Sequence, residues 1–207
     1  MKHILVIILC ITGFINYSSA QDAGKPANTG EAKKVNDINK TTMANENFTT
    51  TLIVDQTPKE VFAAVNNVRG WWSEEIEGNT DKLNDVFLYH YKDIHVSKIK
   101  LVDVIPNERV VWLVMDNYFN FTKDKTEWTG TKISFEITKQ GDKTKLVFTH
   151  IGLVPAYECF NICSEGWGNY INNSLRSLIT TGKGQPNPKE GEGFNSEIVK
   201  KWKLKKQ

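Results

Sequence analysis

The histidine at position 150 is the residue of this sequence best placed for acid–base chemistry. It ends the strand-like run LVFTH (146–150), where alternation puts Leu146, Phe148 and His150 on one face. In a cavity, an imidazole that titrates near neutral pH could exchange a proton or hold a polar group of a ligand. The alternative is a structural histidine that is hydrogen-bonded at the end of a strand. Because no nucleophile with an orienting partner lies nearby in sequence, we predict no catalytic triad, and His150 is the one catalytic candidate.

Two cysteines and two carboxylates follow soon after this histidine and offer a second kind of chemistry. Glu158, Cys159 and Cys163 lie in the run YECFNIC, and Glu165 follows. Zinc takes such ligands, but structural zinc sites usually contain paired, tightly spaced ligands, and here one loose cysteine pair is present. A disulfide fits poorly at a spacing of four on a regular helix and better on an irregular turn. Two buried, unpaired thiols are the third option. We predict no metal and no other cofactor.

Aromatic side chains form the largest group of candidate ligand contacts. The chain has six Trp, six Tyr and ten Phe, and any single ring is most simply explained as core packing. Together they suggest more, because small-ligand sites are typically apolar cavities with a few polar groups. The segment Asp116–Trp128 is expected to form a mobile lip over the entrance. The predicted ligand-binding residues are Trp71, Trp72, Tyr89, Tyr91, Trp112, Phe135, Phe148, His150 and Trp167.

Residues 1–20 have the pattern of a cleavable secretory signal. A short basic start precedes an apolar run from Ile4 to Ile15, and the small residues Ser18 and Ala20 follow. The apolar run is too short to span a hydrocarbon core of about 30 Å comfortably. We therefore expect export to the periplasm or the exterior, cleavage after Ala20, and no stable membrane insertion afterwards.

The rest of the chain divides by composition into a linker, one domain and a tail. The 207 residues include 26 Lys and Arg and 24 Asp and Glu, so the net charge is +2 and gives no indication of nucleic-acid binding. Residues 21–46 lack the apolar content to fold and are predicted to be a flexible linker. Residues 47–184 are predicted to form the domain, and residues 185–207 a flexible basic tail.

The domain begins with a strand and a short helix, and a series of strands follows. Phe48–Val54 is rich in β-branched residues. Thr57 is a good N-cap, with Pro58 at the first helical position and Glu60 at the capping-box position. The segment RGWWSEEIEG then predicts a second short helix or a turn. Strand-like segments separated by turn signals favour an antiparallel meander, at residues 85–91, 95–105, 109–116, 130–139 and 144–150.

A long helix is predicted to close the domain. Apolar residues share one helical face from Trp167 to Ile179, with Ser164 as a possible cap at the start and Gly182 at the end. Such a helix needs a surface to cover, and a curved antiparallel sheet provides one. The predicted class is therefore α+β, with a sheet that wraps around a long C-terminal helix and leaves a cavity wherever side chains fail to fill the space between them.

The order of several motifs resembles the START-like helix-grip superfamily, also called SRPBCC. The matching segments are TPKEVFAAV, GWW, VDVIPNERVVW, GTKISFEI, TKLVFTHIGL and the closing GW…SL..LI..GKG, which together cover about 48–184. Within the superfamily, the sequence is similar to the branch named after activators of the heat-shock ATPase. The resemblance implies a helix-grip fold with a pocket for hydrophobic or amphipathic small molecules. Most members of the superfamily have no demonstrated catalysis, while a minority act as cyclases or hydrolases.

Three functions follow as hypotheses. The first is an exported module that binds a small hydrophobic or amphipathic ligand without transforming it. The second is a cyclase- or hydrolase-like enzyme that uses His150 as an acid or base. The third is an interaction module like a chaperone cofactor, which export disfavours because the exterior lacks ATP. The lack of a nucleophile motif and of a phosphate-binding loop favours the first; the sequence leaves the ligand and the oligomeric state open.

Overall fold

One antiparallel sheet and one long helix account for most of the structure. The computed structural model describes residues 46–189 and 193–204, so the predicted signal and nearly all of the predicted linker lie outside the described residues. The strands are β1 (Phe48–Val54), β2 (Glu77–Gly78), β3 (Val86–Tyr91), β4 (His95–Ile105), β5 (Arg109–Phe119), β6 (Lys132–Gln140) and β7 (Lys143–Ile151). Their order in the sheet is β1-β7-β6-β5-β4-β3-β2. The predicted meander is therefore confirmed, and its last strand, β7, pairs with the first strand, β1.

The helices lie on one side of this sheet. They are α1 (Pro58–Asn66), α2 (Phe160–Asn169), α3 (Arg176–Thr181) and α4 (Phe194–Lys201). A π-helical stretch, Tyr170–Leu175, joins α2 to α3 without interruption, and we call residues 160–181 the long helix. The helix-grip α+β fold predicted from the sequence is confirmed. No helix within the described residues is both long enough and apolar enough to cross a membrane.

Local capping explains where α1 begins. The backbone N–H of Glu60 donates to Thr57 Oγ1 at 3.3 Å, and the backbone N–H of Thr57 donates to Glu60 Oε2 at 2.7 Å. These reciprocal bonds form the predicted capping box. The predicted second helix is reduced to a 3₁₀ turn, Val68–Gly70, ahead of the two tryptophans.

The long helix begins one turn earlier than predicted. It starts at Phe160, and Ser164 lies inside it rather than at its cap. The cap comes from a distant loop instead, because Glu127 accepts hydrogen bonds from the backbone N–H groups of Glu158 at 2.6 Å and Cys159 at 2.9 Å. A carboxylate at a helix N-terminus accepts hydrogen bonds from the free N–H groups, and its negative charge is attracted to the positive end of the helix dipole. At the other end, Gly182 has the left-handed conformation that its predicted role requires (φ 76°).

Alternation along the strands decides which residues reach the core. In β7, Leu146, Phe148 and His150 are all fully buried, as predicted, and their neighbours face outwards. The inward faces of the strands pack against α1 and the long helix. Trp71 lies at the centre of this core, where its ring stacks on those of Trp72 and Trp112 with centroids 6.3 and 6.2 Å away.

The described part of the predicted flexible tail is folded, so that prediction was wrong there. Residues 185–189 run beside the segment that follows Trp72, where a parallel bridge joins Ser73 to Asn187. Gly184 must approach the carbonyl oxygen of Gly70 closely, since a Cβ at position 184 would lie 2.1 Å from that oxygen. The chain then forms α4, whose Ile198 is buried. The sequence did not predict this helix because the segment is mostly polar and basic. Its few apolar residues pack against parts of the chain that are distant in sequence.

Candidate functional site

The candidate site is a cavity between the long helix, the ends of β3–β5 and α4. Its volume is about 70 Å³. The walls are mostly aromatic, and among the described residues that line it there is no Asp, Glu, Lys or Arg. The aromatic rings that line it include those of Trp72, Tyr89, Tyr91, Trp128 and Trp167. The cavity therefore offers flat apolar surfaces and a few neutral polar atoms.

The rings form a continuous wall. The ring of Trp72 stacks on that of Tyr89 with centroids 4.4 Å apart, and the ring of Trp167 lies 5.1 Å from that of Trp72. Trp128 continues the wall, stacked on Trp167 at 5.8 Å. Offset and edge contacts at such distances stabilise aromatic pairs beyond simple burial. The wall is thus held in place before any ligand arrives.

The structure brings four of the predicted ligand-binding residues to the cavity and leaves five behind it. Trp72, Tyr89, Tyr91 and Trp167 line the cavity. The other five are fully buried behind this wall and outside the lining: Trp71, Trp112, Phe135, Phe148 and His150. They do not line this cavity, because sequence alternation shows which side chains face inwards but not which of them meet empty space; ligand binding by any of the nine stays a prediction.

His150 has a fixed protonation pattern. Trp167 Nε1–H donates to His150 Nδ1 at 3.0 Å, and His150 Nε2 lies 2.9 Å from Thr131 Oγ1. The hydroxyl of Thr131 is already donated to the carbonyl oxygen of Trp128 at 2.5 Å, so it accepts from His150 Nε2–H. The imidazole is therefore neutral, with its proton on Nε2. Burial lowers the pKa of His150 to about 3.

A second histidine, His95, was not among the predicted site residues but does line the cavity. Its Nε2 lies 2.8 Å from Ser97 Oγ, and its ring packs edge-on against Trp128 with centroids 4.9 Å apart. Burial lowers the pKa of His95 to about 3, with a smaller contribution from the neighbouring His150. A signal existed in the sequence: His95, Ser97 and Ile99 alternate on one face of β4, as His150 does with its apolar neighbours on β7.

Polar groups gather where α4 meets the cavity. Asn195 Nδ2–H donates to the hydroxyl oxygen of Tyr89 at 2.7 Å, and the hydroxyl of Tyr170 donates to Asn195 Oδ1 at 2.8 Å. Asn187 Nδ2–H donates to the Tyr170 oxygen, and Asn187 Oδ1 accepts from the backbone N–H of Asn195 at 3.0 Å. This amide–tyrosine network could not be predicted from local sequence, because it joins residues of β3, the long helix and the C-terminal segment.

The two cysteines are free thiols at the start of the long helix, with Cys159 at its N-cap and Cys163 in its first turn. Both are buried, and Cys163 faces the cavity. Burial raises the pKa of the Cys163 thiol well above its ordinary value, so it is a poor nucleophile. Across the described ranges 46–189 and 193–204, no three His, Cys, Asp or Glu side chains come together in a way that could hold a metal ion.

The predicted lip, Asp116–Trp128, borders the cavity, but its first part is a continuation of β5. The loop beyond it is tied internally, with the backbone N–H of Phe119 donating to the carbonyl oxygen of Lys125 at 2.8 Å. The backbone N–H of Trp128 donates to Asn117 Oδ1 at 3.1 Å. These bonds present Phe119 and Trp128 to the cavity.

An antiparallel sheet gripping a long helix around an aromatic cavity defines a helix-grip domain. The comparisons agree. Residues 55–180 match the family described as "Activator of Hsp90 ATPase homolog 1-like protein", and the chain belongs to this family. The predicted branch of the SRPBCC superfamily is thereby confirmed. Family membership supports a ligand-binding helix-grip domain. A comparison with curated protein sequences finds no match.

Solved structures show the same fold at low sequence identity. The Aha1 dimer from Colwellia psychrerythraea is 22% identical, with a TM-score of 0.54, over 67% of this chain and 99% of that chain. DynU16, from the dynemicin biosynthetic locus, is 16% identical, with a TM-score of 0.51, over 67% of this chain and 48% of that chain. The protein SSP2350 from Staphylococcus saprophyticus is 16% identical, with a TM-score of 0.50, over 69% of this chain and 98% of that chain.

Proposed function

We propose that this domain binds a small, uncharged, largely apolar or amphipathic molecule in its aromatic cavity and releases it unchanged. The observation that carries the proposal is the wall itself, which is built of rings and aliphatic side chains without a charged group among its described residues. Placing an unpaired ionic group in such a site is costly, whereas apolar surface is transferred into it favourably. The family supports the same ligand-binding role.

The protonation states support binding rather than catalysis. A general acid or base works best when its pKa lies near the working pH. His150 and His95 both have a pKa of about 3, and both ring nitrogens of His150 are already hydrogen-bonded. A role as a chaperone cofactor, the third hypothesis from the sequence, stays a prediction for which the family description is the only support.

A pair of matched fluorescent probes tests the proposal. N-phenyl-1-naphthylamine and 1-anilinonaphthalene-8-sulfonate share their rings, but the second carries a negative charge. Because the wall contains no cation, the neutral probe should bind at least about tenfold more tightly, a difference of about 1.4 kcal/mol. Equal affinity for both probes, or tighter binding of the sulfonate, would refute an uncharged ligand. Native mass spectrometry of the protein purified from its source should reveal any co-purified molecule.

A matched pair of tyrosine variants locates the binding. Tyr91 lines the cavity, while Tyr118 is exposed at 41% on the outer side of the sheet. Tyr91→Ala should weaken binding of the neutral probe about tenfold, because one ring of the wall is lost, and Tyr118→Ala should leave it unchanged. If both variants bind like the wild-type protein, the probe occupies another surface and the proposal fails.

We also propose that the protein is exported and begins at Gln21 after cleavage. The support is the basic start, the apolar run and the small residues before that position. N-terminal sequencing of the protein from its native source should give a sequence that starts QDAGK. Recovery of the uncleaved chain from a cytosolic fraction would contradict export.

A further inference from the structure

Helix α4 lies outside the part of the chain that matches the family and borders the cavity. The family match ends at residue 180, whereas α4 spans Phe194–Lys201. Four residues of this C-terminal segment line the cavity: Asn195, Ile198, Val199 and Leu204. The cavity thus has a family-derived wall and one additional side that this C-terminal segment supplies.

Both ends of α4 are fastened to the family-derived domain. At its start, the carboxamide of Asn195 is bonded to the hydroxyls of Tyr89 and Tyr170. At its end, Lys201 Nζ lies 2.8 Å from both carboxylate oxygens of Glu165, and Trp202 Nε1–H donates to Glu165 Oε2 at 2.9 Å. The helix also makes apolar contacts. Ile198 packs over Gly166 on the long helix, with 3.8 Å between Ile198 Cδ1 and the place a Cβ would take at position 166, and the ring of Phe194 packs edge-on against that of Tyr170 with centroids 5.6 Å apart.

With α4 in place, the volume of the cavity is too small for the ligands that such sites usually hold. Its 70 Å³ compares with about 150 Å³ for a cavity that takes up benzene and roughly 300–1,000 Å³ for typical small-molecule pockets. The aromatic wall on the other sides is fixed by ring stacking and by the core behind it. The remaining side is the single short helix α4, which belongs to neither the sheet nor the long helix, so space can be gained there without disturbing the aromatic wall.

We propose that α4 is an internal occupant of the ligand site, which a ligand displaces. An amphipathic molecule then takes over the hydrogen bonds that Asn195 makes to Tyr89 and Tyr170, using an uncharged amide or hydroxyl group, and its apolar body replaces Ile198. The carboxamide of Asn195 already provides one donor and one acceptor to these two hydroxyls, which defines the polar group that fits. This inference rests on the proposed function, since it concerns the same cavity.

Binding of N-phenyl-1-naphthylamine to the full chain, combined with hydrogen–deuterium exchange of residues 194–201, tests the displacement. Adding the probe should speed exchange in α4 of the wild-type protein. Asn195→Ala removes both tyrosine bonds, so α4 should open more often and the probe should bind roughly tenfold or more tightly, because apparent affinity scales with the open fraction. Asn173→Ala, an exposed asparagine on the long helix, is the matched control and should behave like the wild-type protein.

The outcomes separate this inference from the proposed function. If Asn195→Ala speeds exchange in α4 but no variant binds the probe, the cavity is not a ligand site and both proposals fail. If the wild-type protein binds the probe with unchanged exchange in α4, and Asn195→Ala binds no more tightly, the displacement is wrong while ligand binding stands. Glu165→Gln weakens the bond from Lys201 at the other end of α4, at a surface position. Should Asn195→Ala fold poorly, Glu165→Gln should likewise speed exchange in α4 and tighten binding of the probe.

Discussion

Replacing His150 by glutamine should make the protein less stable at pH 7 but not at pH 5. A glutamine can copy the neutral imidazole, because its carbonyl oxygen can accept from Trp167 Nε1–H and its amide can donate to Thr131 Oγ1. The copy is imperfect in shape, so we expect a loss of about 1–2 kcal/mol in the free energy of unfolding at pH 7. What glutamine cannot copy is the titration of the histidine in the unfolded chain.

The size of the pH effect follows from the pKa of His150 in the two states. The native pKa is about 3, against 6.5 for an ordinary histidine. At pH 5 the unfolded chain therefore binds a proton that the native protein does not, and stability falls as the pH drops below about 6.5. The slope is about 1.4 kcal/mol per pH unit, so His150 removes about 2 kcal/mol of stability between pH 7 and pH 5. His95, with the same native pKa, should remove a similar amount.

Urea unfolding followed by tryptophan fluorescence at pH 7 and pH 5 measures both effects. The wild-type protein should lose about 2 kcal/mol more than His150→Gln over this interval, so the two proteins should become equally stable, or change order, near pH 5. Thr131→Val is the control: it removes the hydroxyl partner but no titrating group, and its cost of about 1–3 kcal/mol should not vary with pH. A stability gap between the wild-type protein and His150→Gln that is constant with pH would refute the neutral, buried imidazole.

Three further substitutions test individual side-chain interactions that stabilise the fold, and chemical unfolding measures each of them. Thr57→Ala should cost about 1 kcal/mol by removing the cap of α1, and an unchanged midpoint would argue against the capping box. Glu127→Gln should cost about 1–3 kcal/mol, because a neutral amide bonds the first N–H groups of the long helix less strongly than a carboxylate does. Glu165→Gln should destabilise the protein at neutral pH but not in strong acid. Hydrogen bonds from Lys201 lower the pKa of Glu165 below its ordinary 4.5, so the carboxylate stabilises the native protein above pH 4.5 and this stabilisation disappears as the pH falls through the lowered pKa. A Glu165→Gln effect that persists in strong acid would contradict this assignment.

Local and periodic signals predicted most of the fold. The strand at His95–Ile105 and the capping box at Thr57 depend on neighbours in sequence, and both are confirmed. The start of the long helix was missed because its cap, Glu127, comes from a loop that is distant in sequence. Helix α4 was missed for the same kind of reason, since its contacts are with residues far along the chain, such as Tyr89.

The site was harder to predict than the fold, because inward-facing residues look alike in sequence whether they fill the core or border a cavity. Trp71 and Trp72 are adjacent and have the same residue type, yet Trp71 is enclosed by stacked rings and Trp72 meets the cavity. His150 and His95 show the same ambiguity. Each alternates with buried neighbours in its strand and each contacts the ring of Trp128, yet only His95 lines the cavity.

The neutrality of the site leads to a last prediction about ligand binding itself. His95 stays neutral down to about pH 3, and burial raises the pKa of the Cys163 thiol and of the Tyr89 and Tyr170 hydroxyls. None of these groups changes its charge between pH 7 and pH 5, so the affinity for N-phenyl-1-naphthylamine should stay within about twofold over that range even while the protein loses stability. Equilibrium titrations at both pH values, made where the protein is still folded, would show this. An affinity that follows a single titration near pH 6 would mean that a histidine in the wall gains a proton in the native protein, and an acid–base role would then regain its physical basis.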